Sequence, residues 1–274
     1  MGDEPPQVDL DDEEKKRWFS PKPSVDVAEG AFATCFSAFS LPEKSEGFDS
    51  IVFEWQKEGA AKSYLREKVL EKKKTSRVEN LKPGQWFQDK LASFKKVFAE
   101  WQKKQETFVN SPEQKAKVAA KAAKKDDEEE EDTAMVGDIF SVEDVCDVGE
   151  GEPLFKDFKV ADWATLYLRF ELWLLQAAFK KDVNDPDRPS VPLAHFAFYY
   201  QRYYKRALNP KLFGAEDIVE LVKMVRDSVA WEEELLTTPL LIGEDEDPSH
   251  FVKHTEEARR ERQRRIDAGD ETAR

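Results

Sequence analysis

From Arg188 to Ala215 the chain carries no acidic residue, while Arg188, Arg202, Lys205, Arg206 and Lys211 give the stretch a net charge of +5. On a helix turning about 100° per residue, Leu193, Phe196, Ala197, Tyr200, Tyr204 and Leu208 fall on one side. His195, Phe198, Tyr199, Arg202, Lys205 and Arg206 fall on the other. Cations interleaved with aromatic rings can hold phosphates while the rings stack on bases, which is the chemistry of single-stranded RNA binding. The same composition suits a protein–protein contact with an acidic partner, because Tyr and Arg dominate such interfaces. A third reading gives the face no chemistry: Phe198 and Tyr199 pack beneath the preceding helix.

Other reactive residue types are scattered. His250 and His254 are four apart and can share a helix face, but no third ligand accompanies them. Trp86, Trp101, Trp163 and Trp173 sit at helical spacing, which reads as core. The two cysteines, Cys35 and Cys146, are far apart and match neither a disulfide framework nor a zinc-ligand spacing. No phosphate-cradling glycine motif, nucleophile elbow or HExxH occurs. The expectation is a protein without catalysis, cofactor or metal.

The elements that must position these residues lie in a chain of 274 residues with a net charge of -14. That charge is blocked. Residues 1–53 hold 5 basic and 12 acidic residues, residues 54–125 hold 19 basic and 9 acidic, and residues 126–132 read DDEEEED. Blocked charge marks interaction segments. No run reaches the roughly 18 apolar residues of a membrane span, and the acidic start lacks a leader's apolar core. A cytoplasmic or nuclear protein without membrane contact is expected.

Residues 1–24, acidic and proline-rich, read as a disordered arm. Residues 25–110 read as a small helical unit: Phe32, Phe36 and Phe39 share one helix face. The segment 48–55 reads as a helix or short strand. Tyr64, Leu65, Val69 and Leu70 mark a helix ending at Lys72–Lys74. Phe87, Leu91, Phe94, Phe98 and Trp101 make one apolar stripe after Pro83-Gly84. Residues 111–133 read as a low-complexity charged linker. Residues 153–242 form a second domain. Its first helix spans about 161–181, with Asp162 as N-cap. Its second spans about 192–208, its third carries Ile218, Leu221, Val222, Val225 and Val229, and a hairpin over 229–231 and 235–242 follows. Residues 249–274 are an Arg-rich tail with no apolar stripe, expected to be mobile from about 255 onward.

The order helix, helix, helix, hairpin is that of a winged helix. Residues 188–231 resemble the LOTUS (OST-HTH) module: Val191 and Leu193 at the entry, Phe196 and Tyr200 on an aromatic helix, Phe213-Gly214 at the turn. Ile218, Leu221, Val222 and Val225 follow on the last helix, and Val229 starts the strand. Ala215 stands where that pattern has a bulky apolar residue. The resemblance implies a mostly α fold with a short β-hairpin. It also implies binding of RNA or of a protein partner such as an RNA helicase. The last helix bears Glu216, Asp217, Glu220, Lys223, Arg226 and Asp227, a poor phosphate reader. The expected function is therefore an RNA-associated adaptor acting through the basic-aromatic helix. The alternative is a scaffolding subunit that touches no RNA; a basic stretch over 57–125 and the Arg-rich tail would add phosphate affinity to the former.

Overall fold

The computed structural model describes residues 9, 11–16, 28–112, 114–116, 138–149, 151–239 and 247–273. Most of the acidic arm, most of the charged linker and the end of the expected second strand lie outside the described residues. Among the described residues, the chain is mostly helical with one small antiparallel sheet. It divides into two compact units, Met1–Val69 and Leu70–Arg274.

In the first unit, helix α1 (Glu29–Cys35) runs into a 3-10 turn (Phe36–Ala38). Phe32 meets Phe36 at 6.0 Å and Phe39 at 5.6 Å between ring centroids, as their spacing predicts. Residues 48–55 form neither the expected helix nor a strand. Trp55 is 97% exposed and Val52 76%, so the segment buries little apolar surface to offset the entropy of ordering it. Helix α2 (Glu58–Thr75) follows; none of its residues is fully buried, and its last turn belongs to the second unit.

The second unit forms around helix α4 (Val160–Val183), which is apolar on nearly all sides and therefore demands cover all round. Helix α3 (Gln85–Val109) supplies one side. Its stripe meets α4 directly: Phe94 stacks on Phe170 at 3.6 Å, and Phe98 packs edge-on against Trp163 and Tyr167, each at 5.3 Å. The boundary expected near residue 110 is thus corrected. A lone stripe on α3 has no core of its own, and α4 has apolar surface to spare. Asp162 is not the N-cap either. Lys159 holds that place, and the Asp162 carboxylate, three residues on, accepts the Lys159 N–H at 2.8 Å.

Helix α5 (Phe196–Tyr204) follows a 3-10 turn (Leu193–His195), and helix α6 (Ile218–Lys223) is capped by Asp217, whose carboxylate accepts the Glu220 N–H. Both are shorter than their apolar spacing suggests. Strands β1 (Ala230–Glu232) and β2 (Leu235–Thr237) pair with Trp231 opposite Leu236. The two-residue turn between them, Glu233-Glu234, has φ of 48° and 62°, the left-handed backbone that matches strand twist.

Helix α7 (Ser249–Asp267) corrects the mobile tail. Phe251, Val252 and Thr255 are buried, and Phe251 packs against Phe170 and Trp173. Arg262 donates to Asp162 at 2.7 Å, and the buried Arg169 donates to Thr255 at 3.2 Å and to Asp227 at 2.8 Å. These pairings run α7 antiparallel along α4. A short apolar patch plus cation–carboxylate contacts supplies what a full stripe would have supplied.

Candidate functional site

The predicted site residues divide into two places. His195, Phe198, Tyr199 and Arg202 turn toward the last residue of α2 and the chain that follows it. His195 Nε2 lies 3.1 Å from the Thr75 carbonyl. The guanidinium groups of Arg77 (4.5 Å) and Arg202 (5.1 Å) both stand over the Phe198 ring, and Arg202 donates to the Glu79 carbonyl at 2.7 Å. Tyr199 is 1% exposed. Its hydroxyl accepts the Val78 N–H at 2.8 Å, and its ring meets Phe179 edge-on at 4.8 Å. A helical wheel for α5 alone places Tyr199 outside because residues 75–79, which cover it, come from more than a hundred positions earlier.

Lys205 and Arg206 leave this face. The helix ends at Tyr204, and Lys205 turns left-handed at φ 58°. Both residues line a cleft of 1180 Å³ formed by α3, α4 and residues 203–213. Leu91, Phe98, Tyr167, Leu208 and Phe213 make apolar walls. At its lip Val160 is 86% exposed and Leu212 82%. The charged lining is Lys95, Lys205, Arg206 and Glu171. Lys95 and Lys205 are exposed, so the rim is basic on a chain that is acidic overall.

Glu171 at the cleft floor is buried, and burial raises its carboxyl above the usual range. Its Oε2 accepts the Tyr200 hydroxyl at 2.8 Å and its Oε1 accepts Arg206, while the Tyr204 hydroxyl donates to its backbone carbonyl at 2.7 Å. Burial beside this carboxylate pushes the Tyr200 and Tyr204 phenols up. With both oxygens engaged, Glu171 positions α5 and Arg206 against α4. Tyr203 does the same one turn away, donating to Asp182 at 2.8 Å, and Asp182 also accepts the Gly84 N–H at 3.0 Å.

Sequence reasoning missed the cleft because its walls are the stripes that read as core. Two signals were present. Glu171 interrupts an apolar run, where a carboxylate requires partners, and Val160 and Leu212 lie off every stripe. Among the described residues, no helix is long and apolar enough to cross a membrane, and no group of three or more His, Cys, Asp or Glu side chains is placed to hold a metal ion. No protein-family model, curated protein or solved structure matches the chain.

Proposed function

We propose that the chain is a non-catalytic adaptor whose cleft seats an acidic, amphipathic segment of a partner protein. On this reading the three helices and hairpin between Val160 and Thr237 serve as a winged-helix-like scaffold. The observation that carries the reading is the cleft's composition: apolar walls, an exposed apolar lip at Val160 and Leu212, and a rim of Lys95, Lys205 and Arg206. Apolar anchors provide the affinity of such grooves, and rim charge selects the partner. Arg206 is paired with Glu171, so the cations an occupant meets at the rim are those of Lys95 and Lys205. An occupant bearing carboxylates beside its apolar side chains is the complement.

A polypeptide is favoured over RNA because the ring best suited to stacking, Tyr199, is buried, and Arg202 donates to a backbone carbonyl. The test uses three labelled probes followed by fluorescence anisotropy. They are a peptide with Leu at helical spacing and Glu between, the same peptide with Lys for Glu, and a single-stranded RNA. The acidic peptide is expected to bind tightest. Lys95→Glu with Lys205→Glu is expected to weaken it about tenfold or more, since exposed pairs contribute up to about 1 kcal/mol each and reversal turns attraction into repulsion. Tighter binding of RNA or of the Lys peptide, or indifference to the charge reversal, overturns the reading.

A further inference from the structure

The two histidines that lacked a third ligand in the sequence are brought together by α7. Their Nε2 atoms stand 3.0 Å apart and their ring centroids 4.7 Å apart. The surroundings buttress the pair. The Phe140 ring packs edge-on against His254 at 5.0 Å, and Lys253 Nζ donates to the Phe140 carbonyl at 3.3 Å, which ties the turn Ile139–Ser141 to α7. On the inner side Phe251 and Val252 are buried, so the backbone carrying both rings is fixed by the core.

The spacing can be compared with that of two imidazoles on one metal ion. Imidazole nitrogens bind late transition metals at about 2.0–2.1 Å. Two such nitrogens at a right angle are about 2.9 Å apart, and two in a tetrahedron about 3.4 Å, by the bond length just given. The observed separation of 3.0 Å is that of a hydrogen bond between the rings, and it also admits the right angle found in the tetragonal sites of copper(II) and nickel(II). Copper(II) binds nitrogen sites most tightly among the divalent first-row ions.

We propose that His250 and His254 form a two-imidazole binding site for a tetragonal divalent metal ion, copper(II) above all. In the metal-free chain one Nε2–H donates to the other Nε2. Coordination uses both Nε2 lone pairs, with the proton of each ring on Nδ1, so the step is a tautomer shift and an ion capture with no net proton release. Asp227 is engaged by Arg169 and Ser228 and stays in its ion pair. An ion held here staples the first two turns of α7, the turns that place Phe251 against Trp173.

The full metal-free chain is titrated with copper(II) and followed by electron paramagnetic resonance and by thermal unfolding. One equivalent is expected to give an axial spectrum with splitting from two equatorial nitrogens and to raise Tm. His250→Ala and His254→Ala are each expected to weaken binding tenfold or more and to abolish the Tm rise, while His195→Ala leaves both intact. Circular dichroism of the metal-free variants checks their folds; His250→Ala carries the test should His254→Ala unfold. Copper binding unchanged in the His250 variant, a spectrum without two-nitrogen splitting, or no Tm rise in the parent chain overturns the site.

Discussion

Tyr199→Ala separates a buried ring from a base-stacking ring. The ring is 1% exposed, packs on Phe179 at 4.8 Å, and its hydroxyl accepts the Val78 N–H at 2.8 Å. Removing it leaves a cavity between α4 and α5, which costs about 3–5 kcal/mol for a buried aromatic. Tyr199→Phe removes only the acceptor. A buried amide left unpaired costs about 1–3 kcal/mol; Val78 is half-buried, which places this variant near 1 kcal/mol. Urea unfolding followed by tryptophan fluorescence measures both, with the midpoint falling and the slope unchanged. Affinity for a single-stranded RNA, measured on folded protein, is expected to be the same in Tyr199→Phe and the parent chain. The reasoning is refuted if Tyr199→Ala is as stable as the parent to within about 0.5 kcal/mol and loses about 1–3 kcal/mol of RNA affinity, the loss expected of a stacked base.

Other consequences concern the core that positions the cleft. Arg169→Met leaves Asp227 without its cation and is expected to destabilise the chain by about 3–5 kcal/mol, whereas Arg169→Met with Asp227→Leu recovers much of the loss in a double-mutant cycle of urea midpoints. Gly84→Ala places a Cβ 2.4 Å from Asp182 Oδ1, and that carboxylate is held by Tyr203 and by the Gly84 N–H. A loss of about 1–3 kcal/mol is expected in the same assay. His254 gives a pH dependence: its pKa is about 4 in the folded chain against the ordinary 6.5. The unfolded chain therefore binds the extra proton between these values, and stability falls as pH drops from about 6.5 toward 4. Between pH 7 and 5 the loss is up to about 2 kcal/mol, reduced by the water that reaches a half-buried ring. It disappears in His254→Gln.

Periodicity made the helices legible wherever an apolar stripe was long. The α3 stripe and the apolar run of α4 are where the residues place them, as is a hairpin beginning near 230. Partnership was not legible. The α3 stripe reads the same whether it covers α2 or α4, and only the apolar excess of α4, visible on every side of its wheel, hints that a distant helix covers it. Helix α7 was missed for a related reason. Its apolar residues occupy barely two turns, and its arginines read as tail charge until Asp162 and Glu256 are placed beside them. The candidate face failed at two points. Tyr199 is covered by a segment 121 residues away in sequence, and Lys205 and Arg206 are turned aside by a left-handed residue that no helical wheel anticipates. The cleft they reach instead is a property of three packed elements, and no single stretch of sequence describes it.

On the proposed reading the cleft receives a polypeptide. A photo-crosslinking amino acid at Leu212, which is 82% exposed on the lip, and a control at Met224, which is 46% exposed elsewhere on the same unit, report the occupant directly in native extract. A discrete adduct is expected from the Leu212 position, its peptide, read by mass spectrometry, rich in carboxylates and apolar side chains. That adduct should persist after RNase and vanish with Lys95→Glu and Lys205→Glu, and the Met224 position should yield none of it. An adduct that RNase removes, or one that survives the charge reversal, contradicts the account.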